Sequence, residues 1–226
     1  MIVRDTSLSA QLDRGLAILR KPEAETFRRF QKEGGMREAL IFVSAVSVVA
    51  ALFAFVFGLI AGLSPFIAAV PYAFLKLLFA LVTPFGAFFI FAFVLNALGR
   101  QQGSSFAQDE IIYTTALYTV PILGLNAAVG SIARIGCLYQ PVAIGLIAYV
   151  IYTAYAFFLT DPELNQNKAL TVAGGAGLAL VIFLVVLGLA SGAALPATSA
   201  TVASCFPLPN ALASVGNGTC LALIAP

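Results

Sequence analysis

The sequence predicts an all-α membrane protein, a five-helix transmembrane bundle with an N-terminal amphipathic cytoplasmic arm. Apolar residues make up 61% of the chain and charged residues only 10%, well below the share of about 25% charged residues that is usual for soluble domains. Crossing a bilayer takes roughly 20 predominantly apolar residues per helix. Five stretches meet this length: 39–62, 71–98, 111–133, 138–159 and 169–192. The chain therefore divides into an arm at 1–37, a membrane domain at 38–192 and a tail at 193–226.

The arm has the pattern of an amphipathic helix followed by a shorter one. Its first segment carries leucines at helical spacing, namely Leu8, Leu12, Leu16 and Leu19. This pattern predicts a helix that lies in the membrane interface with its basic residues near anionic lipid. Pro22 opens the second helix, and the glycines at 34–35 end it. The arm either anchors and orients the first span or serves as a docking surface for a soluble partner.

Charge distribution predicts the orientation of the bundle. The arm contains eight Lys or Arg residues, and with the N-terminus inside, Arg100 and Lys168 join them on the cytoplasmic side. The outer loops then contain one, Arg134. The positive-inside rule therefore places the N-terminus in the cytoplasm and the tail outside. Five acidic residues leave the arm with a net charge of only +3, so nucleic-acid binding is not expected.

The tail contains two cysteines, Cys205 and Cys220, and no charged residue. Outside the cytoplasmic membrane, disulfides form and persist, so the pair is predicted to be bridged. A bridge that closes a loop of about 15 residues stabilises the folded state by roughly 3 kcal/mol in the chain-entropy model. Two free thiols in the tail are the alternative. Cys137 is expected to be a small buried apolar residue.

Enzymatic and metal chemistry lack their usual residues. The chain has no histidine, which excludes a histidine base, histidine metal ligands and every Ser–His or Cys–His pair. The cysteines do not have metal-site spacing, and no phosphate-binding glycine loop is present. No charge falls near the middle of a predicted span, unlike the usual ion paths and proton relays. We therefore expect no catalytic residue, no metal and no cofactor.

Polar residues share one face of the third predicted span: Thr115, Tyr118, Thr119 and Asn126. Pro121 is expected to bend this helix. The face either lines an intramembrane polar pocket or supplies hydrogen bonds between helices.

Two small-residue patterns predict close helix packing, within the monomer or between protomers. They are Gly58 with Gly62 on the first span and Gly188 with Gly192 on the fifth. The second span, by contrast, is apolar all round and rich in phenylalanine, and it is expected to face lipid.

Two segments carry a resemblance to a known family. The arm segment "ILRKPEAETFRRFQKEGGMREAL" and the later stretch "LGRQQGSSFAQDEIIYTTALYTVP" resemble the Yip family of five-span membrane proteins, named as Ypt/Rab-interacting proteins. The arm resembles that of bacterial members, and this resemblance implies a bacterial cytoplasmic (inner) membrane. The Asp-Leu-x-Gly-Pro motif of eukaryotic members is not found, so binding to a Rab-type GTPase is not carried over. In the later stretch, Ser105 and Gln108 are predicted to form a capping box.

These observations predict a non-enzymatic membrane protein that organises or assists other membrane components. Its expected partners are membrane lipid and a membrane protein of unknown identity. A small transporter or permease-like component and an accessory subunit of a larger membrane complex are the alternatives.

Overall fold

The computed structural model describes residues 7–61, 66–131 and 136–194, and all regular structure in these ranges is α-helical. The helices are α1 (Leu8–Arg20), α2 (Ala24–Phe30), α3 (Met36–Ala61), α4 (Phe66–Gln101), α5 (Gln108–Ser131), α6 (Gly136–Phe158) and α7 (Gln166–Ala194). The predicted all-helical fold is therefore confirmed for the described part of the chain.

The five long helices, α3 to α7, alternate in direction. Asp109 at the start of α5 lies next to Gly35 at the start of α3. Ser104, just after α4, is hydrogen-bonded to Asp161, which lies between α6 and α7. One end of the bundle, called the arm end below, therefore gathers the starts of α3, α5 and α7 and the ends of α4 and α6.

α5 is the most enclosed of these helices. It packs against α3, α4 and α6, and α1 packs against it as well. All eight residues from 113 to 120 are buried. A helix that is buried on every side has neighbours around its whole circumference, so this stretch of α5 runs through the interior of the bundle.

Four of the five predicted spans are long and apolar enough to cross a membrane. They are Met36–Ile60, Ala73–Gln101, Pro141–Phe158 and Gln166–Leu189, and these helices are those of a multi-pass membrane protein. The prediction of a fifth span, on α5, is not confirmed by this criterion. α5 begins with a glutamine and two carboxylates and carries several hydroxyl residues, which lower its hydropathy.

α4 has a buried side as well as an exposed apolar side, and contact of the exposed side with lipid stays a prediction. Phe88 and Phe91 are buried in the core, whereas Phe93 is 72% exposed. α4 packs against α3, α5 and α7 at once. Gly86 allows this approach, because a Cβ there would lie 2.5 Å from the ring of Phe183 on α7.

The leucine face of the arm is divided between the surface and the bundle. Leu8, Leu12 and Leu16 are exposed, whereas Leu19 packs against the core. The end of α1 also lies beside α6, where the Tyr149 hydroxyl donates a hydrogen bond to the carbonyl of Leu19.

Candidate functional site

The four polar residues predicted on α5 do not form a single group. Thr115, Tyr118 and Thr119 are completely buried, and the hydroxyl of Tyr118 lies beside those of the two threonines. We call these three residues the hydroxyl cluster. Asn126 follows seven residues after Thr119, about 10 Å further along the helix, and is half-buried. The structure therefore brings together three of the four residues.

The hydroxyl cluster lacks hydrogen bonds that other helical hydroxyls make. Thr83, Thr153 and Thr171 each donate to the carbonyl four residues earlier, at 2.6, 2.8 and 2.9 Å. The three oxygens of the hydroxyl cluster lie near one another, but none makes a hydrogen bond of good geometry with another described residue. Such groups normally find one when they are buried.

A proline on α5 creates a contact that the sequence analysis missed. Pro121 has no N–H, so the carbonyl of Leu117 loses its helical hydrogen-bond donor. Gly15 of α1 lies against this carbonyl, and a Cβ at Gly15 would be 2.3 Å from the Leu117 oxygen and 3.3 Å from Pro121 Cγ. Gly15 itself was the sequence signal for this contact, because glycine destabilises the middle of a helix and is expected there mainly where another element packs closely.

The α1 helix is fixed in place by a polar junction around Arg14. Its Nε lies 2.8 Å from Glu33 Oε2, and its Nη1 donates to the Tyr113 hydroxyl at 3.1 Å. The Tyr113 ring in turn packs on Gly34, where a Cβ would be 2.3 Å from the ring. The junction therefore ties α1, the segment before α3, and α5 together.

A buried aspartate joins the two loops at the arm end. Asp161 accepts hydrogen bonds from Ser104 Oγ at 2.6 Å, from Ser105 Oγ at 2.7 Å and from the Ser105 backbone N–H at 2.9 Å. The backbone N–H of Glu163 adds a fourth at 3.1 Å. Burial acts to raise the pKa of Asp161, but these hydrogen bonds to its charged form outweigh burial and lower the pKa below its ordinary value.

The predicted capping box at Ser105 and Gln108 is wrong. Ser105 lies three residues before the first residue of α5, so it is not at the capping position, and its hydroxyl donates to Asp161. α5 begins at Gln108, and the Glu110 side chain reaches back to accept from the Ala107 backbone N–H at 3.2 Å. Glu38 caps α3 in the same way, by accepting from Gly35 at 3.0 Å.

Aromatic packing attaches α2 to the same end of the bundle. The Phe106 and Phe157 rings stack with centroids 4.8 Å apart, and Phe27 of α2 lies 5.5 Å from Phe157. With Phe27 completely buried, α2 is held against α6 by an apolar anchor.

Basic side chains are exposed around this packed region. The exposed ones on α1, on α2, at the start of α3 and in the segments between these helices are Arg20, Lys21, Arg28, Arg29, Lys32 and Arg37. We call them the basic surface. The arm end therefore combines a fixed backbone with cationic groups that are open to a partner.

The remaining predicted residues are the packing glycines and the cysteines, and the structure describes only some of them. Gly58 lies against α4, where its Cβ would be 2.9 Å from the Ala73 Cα. Gly188 is buried in α7. Outside the residues whose side-chain surroundings are described lie Gly62, Gly192, Cys137, Cys205 and Cys220. In the described part of the chain, no three His, Cys, Asp or Glu side chains come together as metal ligands.

No protein-family model, no curated protein and no solved structure matches this chain.

Proposed function

We propose that this protein is a non-enzymatic, five-span membrane protein of the Yip type that organises or assists other membrane components through its arm end. The observation that carries the proposal is the basic surface, presented on a backbone that Asp161, Arg14 and the aromatic anchor hold in one geometry. A pre-ordered surface binds a partner without the cost of ordering its own loops.

The fifth crossing is supported by the direction and length of α5. It runs parallel to α3 and α7, and its 24 residues extend about 36 Å. Neighbouring helices shield its hydroxyl residues from lipid. An odd number of crossings would put the two termini on opposite sides of the membrane, and the concentration of Lys and Arg at the arm end supports a cytoplasmic location for that end.

The partner that this surface fits is anionic. Exposed Arg and Lys side chains pair with acidic protein surfaces or with the headgroups of anionic lipids. The exposed Leu8, Leu12 and Leu16 lie on the adjoining helix, so membrane lipid and a membrane-protein partner both remain part of the proposal. We also propose that Cys205 and Cys220 form a disulfide in the tail, outside the membrane.

Gentle extraction from native membranes, followed by mass spectrometry of co-purifying proteins, tests the proposal. We expect a partner at constant stoichiometry with the wild-type chain and its loss with the double variant Arg28→Glu, Arg29→Glu. The charge-conserving variant Arg28→Lys, Arg29→Lys serves as the matched control and should retain the partner. Recovery of the chain with lipid alone in all three cases would overturn the role in organising other proteins, and turnover by the purified protein would overturn its non-enzymatic character.

The hydroxyl cluster favours a second candidate, a small transporter or permease-like component. In that case, a transported solute should raise the thermal stability of the purified protein, and Thr119→Val or Asn126→Leu should abolish the increase. An accessory subunit of a larger complex is distinguished by a different result, since it should be unstable when it is expressed alone.

A further inference from the structure

The hydroxyl cluster faces the interior of the bundle rather than the arm. Successive residues of an α-helix are about 100° apart around its axis. Leu117 and Pro121 mark the side of α5 that contacts α1, and Gly124, which lies against Val46, marks the side that contacts α3. Around the helix axis, the mean direction of the three cluster residues is more than a quarter turn away from the α1 side and from the α3 side. Their side of α5 is therefore the one covered by its other two neighbours, α4 and α6.

The cluster also lies near the middle of α5. Thr115 and Thr119 are 7 and 11 residues from its first residue in a helix of 24, roughly 10 to 17 Å from the arm end. The carboxylates of α5 are confined to its first turn. Three neutral hydroxyl groups are thus gathered deep in an apolar bundle, away from the charges of their own helix.

Three hydroxyls at one place supply the partners that a bound water molecule needs. A buried water typically makes about three hydrogen bonds to otherwise unsatisfied polar groups. Threonine in a helix can instead satisfy itself by donating to the carbonyl four residues earlier, as Thr153 does. The threonines of the cluster do not do so, although a hydroxyl left without any partner in an apolar core is costly.

We propose that the hydroxyl cluster is an internal water-binding site, with Thr115, Tyr118 and Thr119 as its ligands. The site takes a neutral molecule that both donates and accepts hydrogen bonds, since the cluster offers hydroxyls and no charge. It is independent of the basic surface and of any partner bound there.

Radiolytic hydroxyl labelling in H₂¹⁸O tests this proposal, because X-ray-generated radicals from a trapped water label the side chains that touch it even in a buried site. We expect ¹⁸O incorporation at Tyr118 in the purified full-length protein. Phe88 and Phe91, which are equally buried, provide the dry reference and should remain unlabelled. Labelling of Tyr118 no greater than that of these two phenylalanines would overturn the proposal.

Two variants distinguish bound water from general solvent penetration. The double variant Thr115→Val, Thr119→Val should lose the label at Tyr118. Thr153→Val serves as the matched control, because Thr153 is equally buried but its hydroxyl is already bonded to the Tyr149 carbonyl, and it should keep the label. An unchanged label in the double variant would refute the assignment of the ligands.

Thermal unfolding of Thr119→Val supplies a measurement that does not depend on labelling. A dry, unpartnered hydroxyl is removed with a gain in stability, whereas a hydroxyl bonded to water is removed with a loss. We therefore expect a lower melting temperature than for the wild type. A higher one would show that the site is dry and would contradict the proposal.

Discussion

Replacing Gly15 with alanine should loosen α1 from the bundle. The new Cβ would lie 2.3 Å from the Leu117 carbonyl oxygen, and because that oxygen belongs to the backbone, no side-chain rotation relieves the overlap. α1 must move away by about 1 Å, and overpacking of this kind costs about 1–3 kcal/mol. Alanine also favours the helix by about 1 kcal/mol over glycine, which hides part of that cost.

A second glycine isolates the steric part of the effect. Gly145 is exposed on α6, and a Cβ there meets nothing within 4 Å, so Gly145→Ala receives the helix-propensity gain alone. The two variants should therefore differ by about 1–3 kcal/mol, which is up to about a hundredfold in the equilibrium between docked and undocked α1.

Hydrogen–deuterium exchange of the peptide that covers α1 measures this equilibrium in detergent-purified protein. We expect faster exchange of α1 in Gly15→Ala and unchanged exchange in Gly145→Ala, with the peptides of α7 as an internal reference. Exchange of α1 at the wild-type rate in Gly15→Ala would refute the packing of Gly15 against the freed carbonyl.

Three further predictions concern the other contacts. Asp161→Asn should lower the melting temperature at neutral pH, because it disrupts the charge-assisted hydrogen bonds. The pKa of Asp161 is lower in the folded than in the unfolded protein, so the wild type keeps this stabilisation above about pH 4 and loses it as the pH falls further. The melting temperature of the variant should depend less on pH in that range. Gly58→Leu should separate α3 from α4 and cost about 1–3 kcal/mol, while Gly174→Leu, at a position with nothing within 4 Å of a Cβ, should cost less in the same thermal assay. Tyr113→Phe removes one hydrogen bond to Arg14 and should cost about 1 kcal/mol, seen as faster exchange of α1 and not of α7.

Hydropathy alone predicted most of the helical architecture. The boundaries of α3 and α7 follow from long apolar runs that begin after a polar turn, and the structure confirms both as candidate spans. The interior position of α5 could not be predicted, because periodicity shows which face of a helix is polar but not how many neighbours surround it. Its hydroxyl residues suggested a polar face, whereas the structure buries the whole circumference.

The contacts at the arm end could not be predicted, for a different reason. Asp161 binds Ser104 and Ser105 across 57 and 56 residues, and no local pattern contains such a pairing. The capping prediction failed at Ser105 because the sequence pattern did not show that the helix begins only at Gln108, with Glu110 accepting from the Ala107 N–H. The sequence showed that Gly15 is an unusual residue within an amphipathic helix, but it did not show that Gly15 contacts the Leu117 carbonyl.

The attachment of α1 has a consequence for the order of events during synthesis. Arg14 cannot bind the Tyr113 hydroxyl until Tyr113, 99 residues later, has been made. The Leu19 carbonyl likewise cannot accept its hydrogen bond until Tyr149, 130 residues later, has been made. At translation rates of about 5–20 residues per second, the latter delay is roughly 6 to 26 seconds. α1 leaves the ribosome before the other described helices and is therefore among the last of them to reach its place, and the nascent chain carries Ile18 and Leu19 uncovered until α5 and α6 have been made.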